Sequence, residues 1–212
     1  MLTVSFGVHI CNVINNNIMD ANGITKEVID NTIVLEYNNI EGVREYFKSH
    51  GKEIAAVIVE PVAANMGVVL PANGFLEMLR EVTIENGAIL IFDEVITGCR
   101  VAAGGAGELF GIGADLMTIG KIVGGGYPLA AVGGKKEIMK NLAPQGAVYH
   151  AGTLSGNPVA VAAGIEVMKR IADDKTIYKE LKEKREYLQN KIVEAGKKTG
   201  IHIHCEGVTT LS

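Results

Sequence analysis

The chain has 212 residues, 48% hydrophobic and 21% charged, which fits one large domain, or one domain with a small appendage, and speaks against global disorder. A formal net charge of −4, with no large basic patch before Lys169, speaks against nucleic acid as a partner. Cys11, Cys99 and Cys205 lie far apart, with no metal-ligand spacing and no visible disulfide framework, so a reducing compartment is the simpler reading.

The opening, MLTVSFGVHICNVI, has neither a basic n-region nor a cleavage site and is too short and polar to span a membrane. A cytoplasmic protein without membrane association is expected. Residues 1–39 show little order. Asn12 and residues 15–17 interrupt an apolar run, Asn22-Gly23 and Asn38-Asn39 read as turns, and residues 33–35 as a short strand. From Ile40 the pattern sharpens. Ile40, Val43, Tyr46 and Phe47 recur at helical spacing until His50-Gly51. Ile54–Val59 is a continuous apolar run, fitting a buried parallel strand that ends at Glu60-Pro61. Phe75, Leu76, Leu79, Val82 and Thr83 line one side of a helix closed by Asn86-Gly87. Residues 88–92, 115–119 and 129–132 read as further strands. The alternation predicts an α/β fold, a three-layer α/β/α arrangement with a mostly parallel sheet. Residues 156–170 read as a largely apolar helix. Residues 173–198 read as an amphipathic one whose Lys/Glu run is a solvated face. A strand is expected to begin after Gly200.

Three polar residues, Glu60, Asp93 and Lys121, fall at or just beyond carboxyl ends of these strands, the edge where open α/β sheets bind ligands. Asp93 follows four bulky apolar residues. It reads either as a helix cap or local ion pair, or as a buried counter-charge for a ligand cation. Lys121 reads either as an ordinary surface lysine or as an amine made nucleophilic by an apolar setting. Glycines 124–126 leave room for a planar cofactor, form an anion-binding turn, or make a flexible loop. No glycine cluster has the order of a nucleotide motif. Ser155 or Asn157 fits a helix cap, with a phosphate at the helix end as the competing use. His202 and His204 have no third ligand, so no metal is expected.

The segments AAVIVEPVAANMGVVLP, GAILIFDEVITGCRVA, DLMTIGKIVGGGYPLAAVGG and YHAGTLSGNP carry a resemblance. Over roughly residues 31–195 the chain resembles the glutamate-1-semialdehyde 2,1-aminomutases, within the class III aminotransferase-like enzymes of fold type I. Those enzymes use pyridoxal 5'-phosphate and its pyridoxamine form. The resemblance implies that Lys121 is the Schiff-base lysine and Asp93 the partner of the protonated pyridine nitrogen. It implies that Val95 packs on the ring, that Asn65 lies near the ring and the substrate side, and that Gly152 and Thr153 reach the phosphate, Thr153 that of a neighbouring subunit. Glu60 belongs to a shared motif with a supporting role. The family usually has other residues at Ala64, Cys99, Gly107 and His150.

The resemblance also implies an activity: isomerisation of an amino-aldehyde to 5-aminolevulinate, in service of tetrapyrrole synthesis, by a homodimer. A class III aminotransferase is the alternative. The resembled enzymes are longer, with an upstream small domain, phosphate cradle and ring-stacking aromatic. The chain is therefore expected to be a partial large domain, with an inactive truncated remnant as a further alternative. The expected division is 1–30 as a poorly matched start, 31–172 as the cofactor-carrying core, and 173–212 as a connecting helix and the start of a C-terminal domain.

Overall fold

A computed structural model of the chain describes residues 2–6 and 25–211. Cys11 and the turns expected between residues 12 and 23 lie outside the described residues. Six strands form one sheet in the order β2-β1-β3-β4-β5-β6, with β1 Leu2–Phe6, β2 Thr32–Val34, β3 Ile54–Val59, β4 Ile89–Glu94, β5 Leu116–Ile119 and β6 Ala131–Gly134. All neighbouring pairs are parallel except β5 with β6. The expected α/β class and mostly parallel sheet are observed.

Helices α1 (Lys26–Asp30), α2 (Ile40–His50) and α3 (Phe75–Asn86) precede β4, and α4 (Gly105–Phe110) lies between β4 and β5. Helices α5 (Lys136–Met139), α6 (Pro158–Asp173) and α7 (Ile177–Thr199) follow β6. Local chemistry sets these limits. Asn39 caps α2 by accepting the Gly42 N–H at 2.9 Å. Gly87, at φ 73°, ends α3 in the left-handed conformation that glycine adopts without a Cβ penalty.

The two faces of the sheet differ. On one, Val57, Val59, Leu90 and Phe92 are fully buried against Phe75, Leu76, Leu79 and Val82 of α3 and Val43 and Phe47 of α2. Each such side chain contributes about 1.5–3 kcal/mol on burial, so this contact dominates the core. On the other face, Ala56, Ile58, Ile89, Ile91 and Asp93 are only half-buried.

Asp115 staples the amino edge. Its side chain is 8% exposed, accepts the Leu90 N–H at 2.8 Å, and pairs with Arg80 at 2.9 Å and Lys135 at 2.5 Å. Burial acts to raise its pKa, but Lys135, the Leu90 N–H and Arg80 outweigh burial and hold the carboxyl below its usual range.

Four details differ from the sequence expectation. Residues 2–6, read as unorganised, pair as an interior parallel strand between β2 and β3. The strand expected at 129–132 lies at Ala131–Gly134 because residues 124–129 turn first, with Tyr127 N–H bonded to Gly124 O and Leu129 N–H to Tyr127 O. The charged helix starts at Ile177, because Asp174 takes the Thr176 N–H at 3.0 Å and hydroxyl at 2.7 Å, a local alternative to helix. The tail after Gly200 makes no strand. Its carbonyls at Glu206 and Thr209 accept from Gln189 and Arg185 of α7, so it folds back on that helix.

Candidate active site

Because β3, β4 and β5 are adjacent and parallel, their carboxyl ends share one edge. Glu60 follows β3, Asp93 lies near the end of β4, and Lys121 follows β5 after one glycine. The edge therefore gathers two carboxylates and an amine.

Glu60 is half-buried and accepts the Ala64 N–H at 3.1 Å, which closes the turn leading to Asn65. Burial raises its pKa. The Asn65 and Ala64 N–H groups pull it back, the Asp93 charge pushes it up, and Lys121 lowers it. The charges of Asp93 and Lys121 thus both reach Glu60 across the strand ends. Asn65 is exposed in the 3-10 turn Ala64–Met66. Tyr37 donates to Pro61 O at 3.0 Å and packs edge-on against Phe75, tying this turn to the core.

Asp93 and Glu94 are neighbours that point to opposite faces of the sheet. Glu94 is 1% exposed and belongs to the closed side. Its carboxylate accepts the Thr97 hydroxyl at 2.9 Å and the N–H groups of Ala106 and Gly107 at 2.6 and 2.9 Å. Gly105, at φ 72°, passes so near that an added Cβ would lie 2.1 Å from Glu94 Oε2. Sequence reasoning did not single out Glu94. The signal was present, since two adjacent carboxylates closing a strand must face opposite sides.

Asp93 is half-buried on the other side. Its Oδ1 accepts the Val95 N–H at 3.1 Å and the Thr118 hydroxyl at 3.3 Å. It is neither a helix cap nor a member of an ion pair among the described residues. Half-buried Val95 reaches the lysine segment. A Cβ on Gly120 would come within 3.3 Å of Val95 Cγ1, so the glycine permits this close approach.

Lys121 has φ 48°, a left-handed conformation uncommon for a residue with a side chain. Such outliers cluster at functional sites. Its side chain is exposed and makes no hydrogen bond or ion pair among the described residues. The apolar burial invoked for a nucleophilic lysine is therefore not built around this amine. Two of the three glycines after it serve packing, while Gly126, at φ 96°, has open space beside it. Gly124 is buried against Leu129, and Gly125, at φ 58°, lies against Val167 and Ala163 of α6.

Gly152 and Thr153 lie on an exposed loop, and no hydrogen bond joins them to Asp93 or Lys121. Asn157, not Ser155, caps α6, its Oδ1 accepting the N–H groups of Val159 and Ala160 at 3.0 and 3.2 Å. Cys99 is buried, at φ 57°, and burial together with nearby Glu94 raises its thiol pKa, which disfavours the reactive thiolate. Among the described residues no group of three or more His, Cys, Asp or Glu side chains is placed to hold a metal ion, and no helix is long and apolar enough to cross a membrane.

The family model described as aminotransferase class-III matches residues 13–206. The chain is 55% identical over 173 residues to glutamate-1-semialdehyde 2,1-aminomutase of Thermosipho africanus, a match covering 82% of this chain and 41% of that protein. A crystal structure of an omega-transaminase from Sphaerobacter thermophilus superposes with a TM-score of 0.82 at 33% identity, covering 90% of this chain and 43% of that one. A transaminase structure with PLP bound superposes with a TM-score of 0.87 at 26% identity, covering 98% and 52%. The chain thus spans less than half the length of the curated relative.

Proposed function

The chain belongs to the class-III aminotransferase family, and from that premise we propose that it carries the catalytic core of a glutamate-1-semialdehyde 2,1-aminomutase dependent on pyridoxal 5'-phosphate. The observation that carries this reading is the shared edge where Lys121, unpaired among the described residues, follows β5, with Asp93 near the end of the adjacent strand β4. The residues present fit the cofactor. Among the described residues, one oxygen of Asp93 has no donor, and an amine with no ion-pair partner lies beyond the neighbouring strand.

When bound, pyridoxal 5'-phosphate supplies an electron sink for a carbanion next to a substrate amine. Lys121 Nζ would hold the cofactor covalently and, once released from it, carry a proton between substrate carbons. Asp93 would pair with the protonated ring nitrogen by a charge-assisted hydrogen bond. Val95 would pack on the ring, and Asn65 would face its substrate side. Glu60 would hold the Asn65 turn through the Ala64 N–H. Gly152 and Thr153, exposed and without partners in the cleft, would reach the phosphate of a second subunit in a homodimer. The whole enzyme would act in the cytoplasm on a small amino-aldehyde and release 5-aminolevulinate, in tetrapyrrole synthesis. Residues 31–172 would be its cofactor-carrying core, with 173–212 as connecting helix and start of a C-terminal domain.

The likeness to an omega-transaminase supports a second reading, a class III aminotransferase. Trapping and product analysis test both. Borohydride reduction of the chain with pyridoxal 5'-phosphate, followed by peptide mapping, is expected to place the adduct on Lys121, and Lys121→Ala to abolish it. An adduct on Lys135 or Lys136 instead would overturn the assignment. Formation of 5-aminolevulinate without a separate amino acceptor identifies the aminomutase, whereas an acceptor requirement identifies the transaminase. A folded chain that forms no adduct is an inactive remnant.

A further inference from the structure

Asp93 has two carboxylate oxygens, yet both of its donors use the same one. The Val95 N–H reaches Oδ1 at 3.1 Å and the Thr118 hydroxyl reaches it at 3.3 Å. No hydrogen bond reaches Oδ2 among the described residues. Thr118 lies directly across the β4–β5 ladder from Asp93, on the same half-buried face. Its hydroxyl makes no other hydrogen bond among the described residues.

We propose that Thr118 is a positioning residue, whose hydroxyl acts with the Val95 N–H to fix the Asp93 carboxylate and present Oδ2 to a protonated ring nitrogen. The inference rests on the cofactor reading above. Rotation about the last side-chain torsion of aspartate is soft and roughly two-fold, so one donor leaves the carboxylate plane loosely set. Two donors arriving on one oxygen, one from the Asp93–Val95 turn and one from the neighbouring strand, fix the plane. Threonine suits the task. Its β-branch restricts the hydroxyl's direction and favours a strand, so valine at this position keeps shape and strand propensity while removing only the donor. The Val95 N–H is backbone, and only proline, which would also lock φ at that turn, removes it, which leaves Thr118 as the half of the pair that can be changed without disturbing the main chain.

The test compares the wild-type chain with Thr118→Val and Thr118→Ser, using pyridoxal 5'-phosphate as the probe and the trapped Lys121 adduct as readout. Thr118→Val is expected to weaken cofactor affinity about tenfold, and Thr118→Ser to restore it to within about twofold. The melting temperature of Thr118→Val should equal or exceed that of the wild type. In an Asp93→Ala background Thr118→Val should have no further effect, because the hydroxyl acts through Asp93. Wild-type affinity in Thr118→Val, or equal weakness in Thr118→Ser, would overturn the proposal. Crystal structures of both cofactor-free proteins decide it independently. Thr118→Val should show a rotated Asp93 carboxylate, and an unmoved one overturns the proposal. If the wild-type chain forms no Lys121 adduct, the cofactor reading fails by itself, and the carboxylate orientation still decides what Thr118 does.

Discussion

The two ends of the sheet treat a carboxylate in opposite ways. At the amino edge Asp115 is surrounded by the Leu90 N–H, Arg80 and Lys135, with both oxygens engaged. At the carboxyl edge, among the described residues, Asp93 has both donors on one oxygen, and Lys121 lies beyond the next strand with no ion-pair partner. A saturated carboxylate has nothing left to offer a ligand, and removing it leaves its partners unsatisfied. A half-satisfied carboxylate adds less to the fold and keeps an acceptor for a cation. The comparison teaches that this sheet saturates its carboxylate at one end and leaves an acceptor open at the other.

The largest expected effect tests the amino end. Asp115→Ala leaves the Leu90 N–H without its acceptor and places two cations side by side. Arg80 and Lys135 are 18% and 62% exposed, so water offsets part of the loss. A cost of about 3 kcal/mol is expected, at the low end for breaking a buried pair. Urea unfolding measures it, and the variant's folded fraction should still form the Lys121 adduct. A loss below about 0.5 kcal/mol, the level of an unimportant surface change, would remove the contrast.

Asp93→Asn tests the carboxyl end and should invert the pattern. The amide keeps the shape and still accepts from the Val95 N–H, so unfolding should move by less than about 0.5 kcal/mol. Cofactor affinity should fall about thirtyfold, the value of one hydrogen bond to a charged group. Titration of the trapped adduct reads the affinity. Equal losses of stability from Asp93→Asn and Asp115→Ala would show that both ends are structural.

A smaller effect concerns α6. Asn157 already occupies the first free N–H groups of that helix. Asn157→Ala should cost about 1 kcal/mol of stability, as caps do. Cofactor affinity should be unchanged, because a phosphate does not need donors that the asparagine holds. Tighter cofactor binding in this variant would instead mean that the helix end is a phosphate site masked by its own cap.

How much of this was legible beforehand varies by element. Strands β3 and β4 and helices α2 and α3 were legible because burial on both sides of a strand, or on one side of a helix, writes itself as an apolar run or a 3.6-residue spacing. The placement of Asp93 and Lys121 at strand ends was legible because each interrupts such a run. The contact of Thr118 with Asp93 was not, since nothing in a linear pattern shows that residues 93 and 118 share a register position. Nor was β1. Its pairing with β2 and β3 is a non-local contact, and the weak pattern around it gave no local sign. The exposure of Lys121 went against the apolar residues that flank it, because Ile122 and Val123 turn toward α6 and Tyr178 while the lysine turns outward at positive φ.

The smallest expected effect is one of sign, and it sharpens the comparison most. Asp115 has its carboxyl held below the usual range, so the unfolded chain binds that proton more tightly than the folded one. Its stabilisation is complete above the ordinary aspartate value of about 3.9 and is lost as pH falls through the depressed folded value. Glu60, at the other end, has its carboxyl raised by burial and by Asp93, against the pull of the Asn65 and Ala64 N–H groups and Lys121. There the folded chain binds the proton more tightly. Glu60 therefore lowers stability as pH rises from the ordinary glutamate value of about 4.3 to the raised one, and returns it on acidification. Stability measured by denaturant between about pH 2 and 6 should show opposite changes in slope. Asp115→Asn should flatten the acid loss below about pH 4, and Glu60→Gln should steepen the loss just above it. Glu60 is only half-buried, so solvent screens it and its change should be the smaller. Slopes that move in the same direction would mean that the two edges hold their carboxylates alike, and the division between a stapled end and a reactive end would not stand.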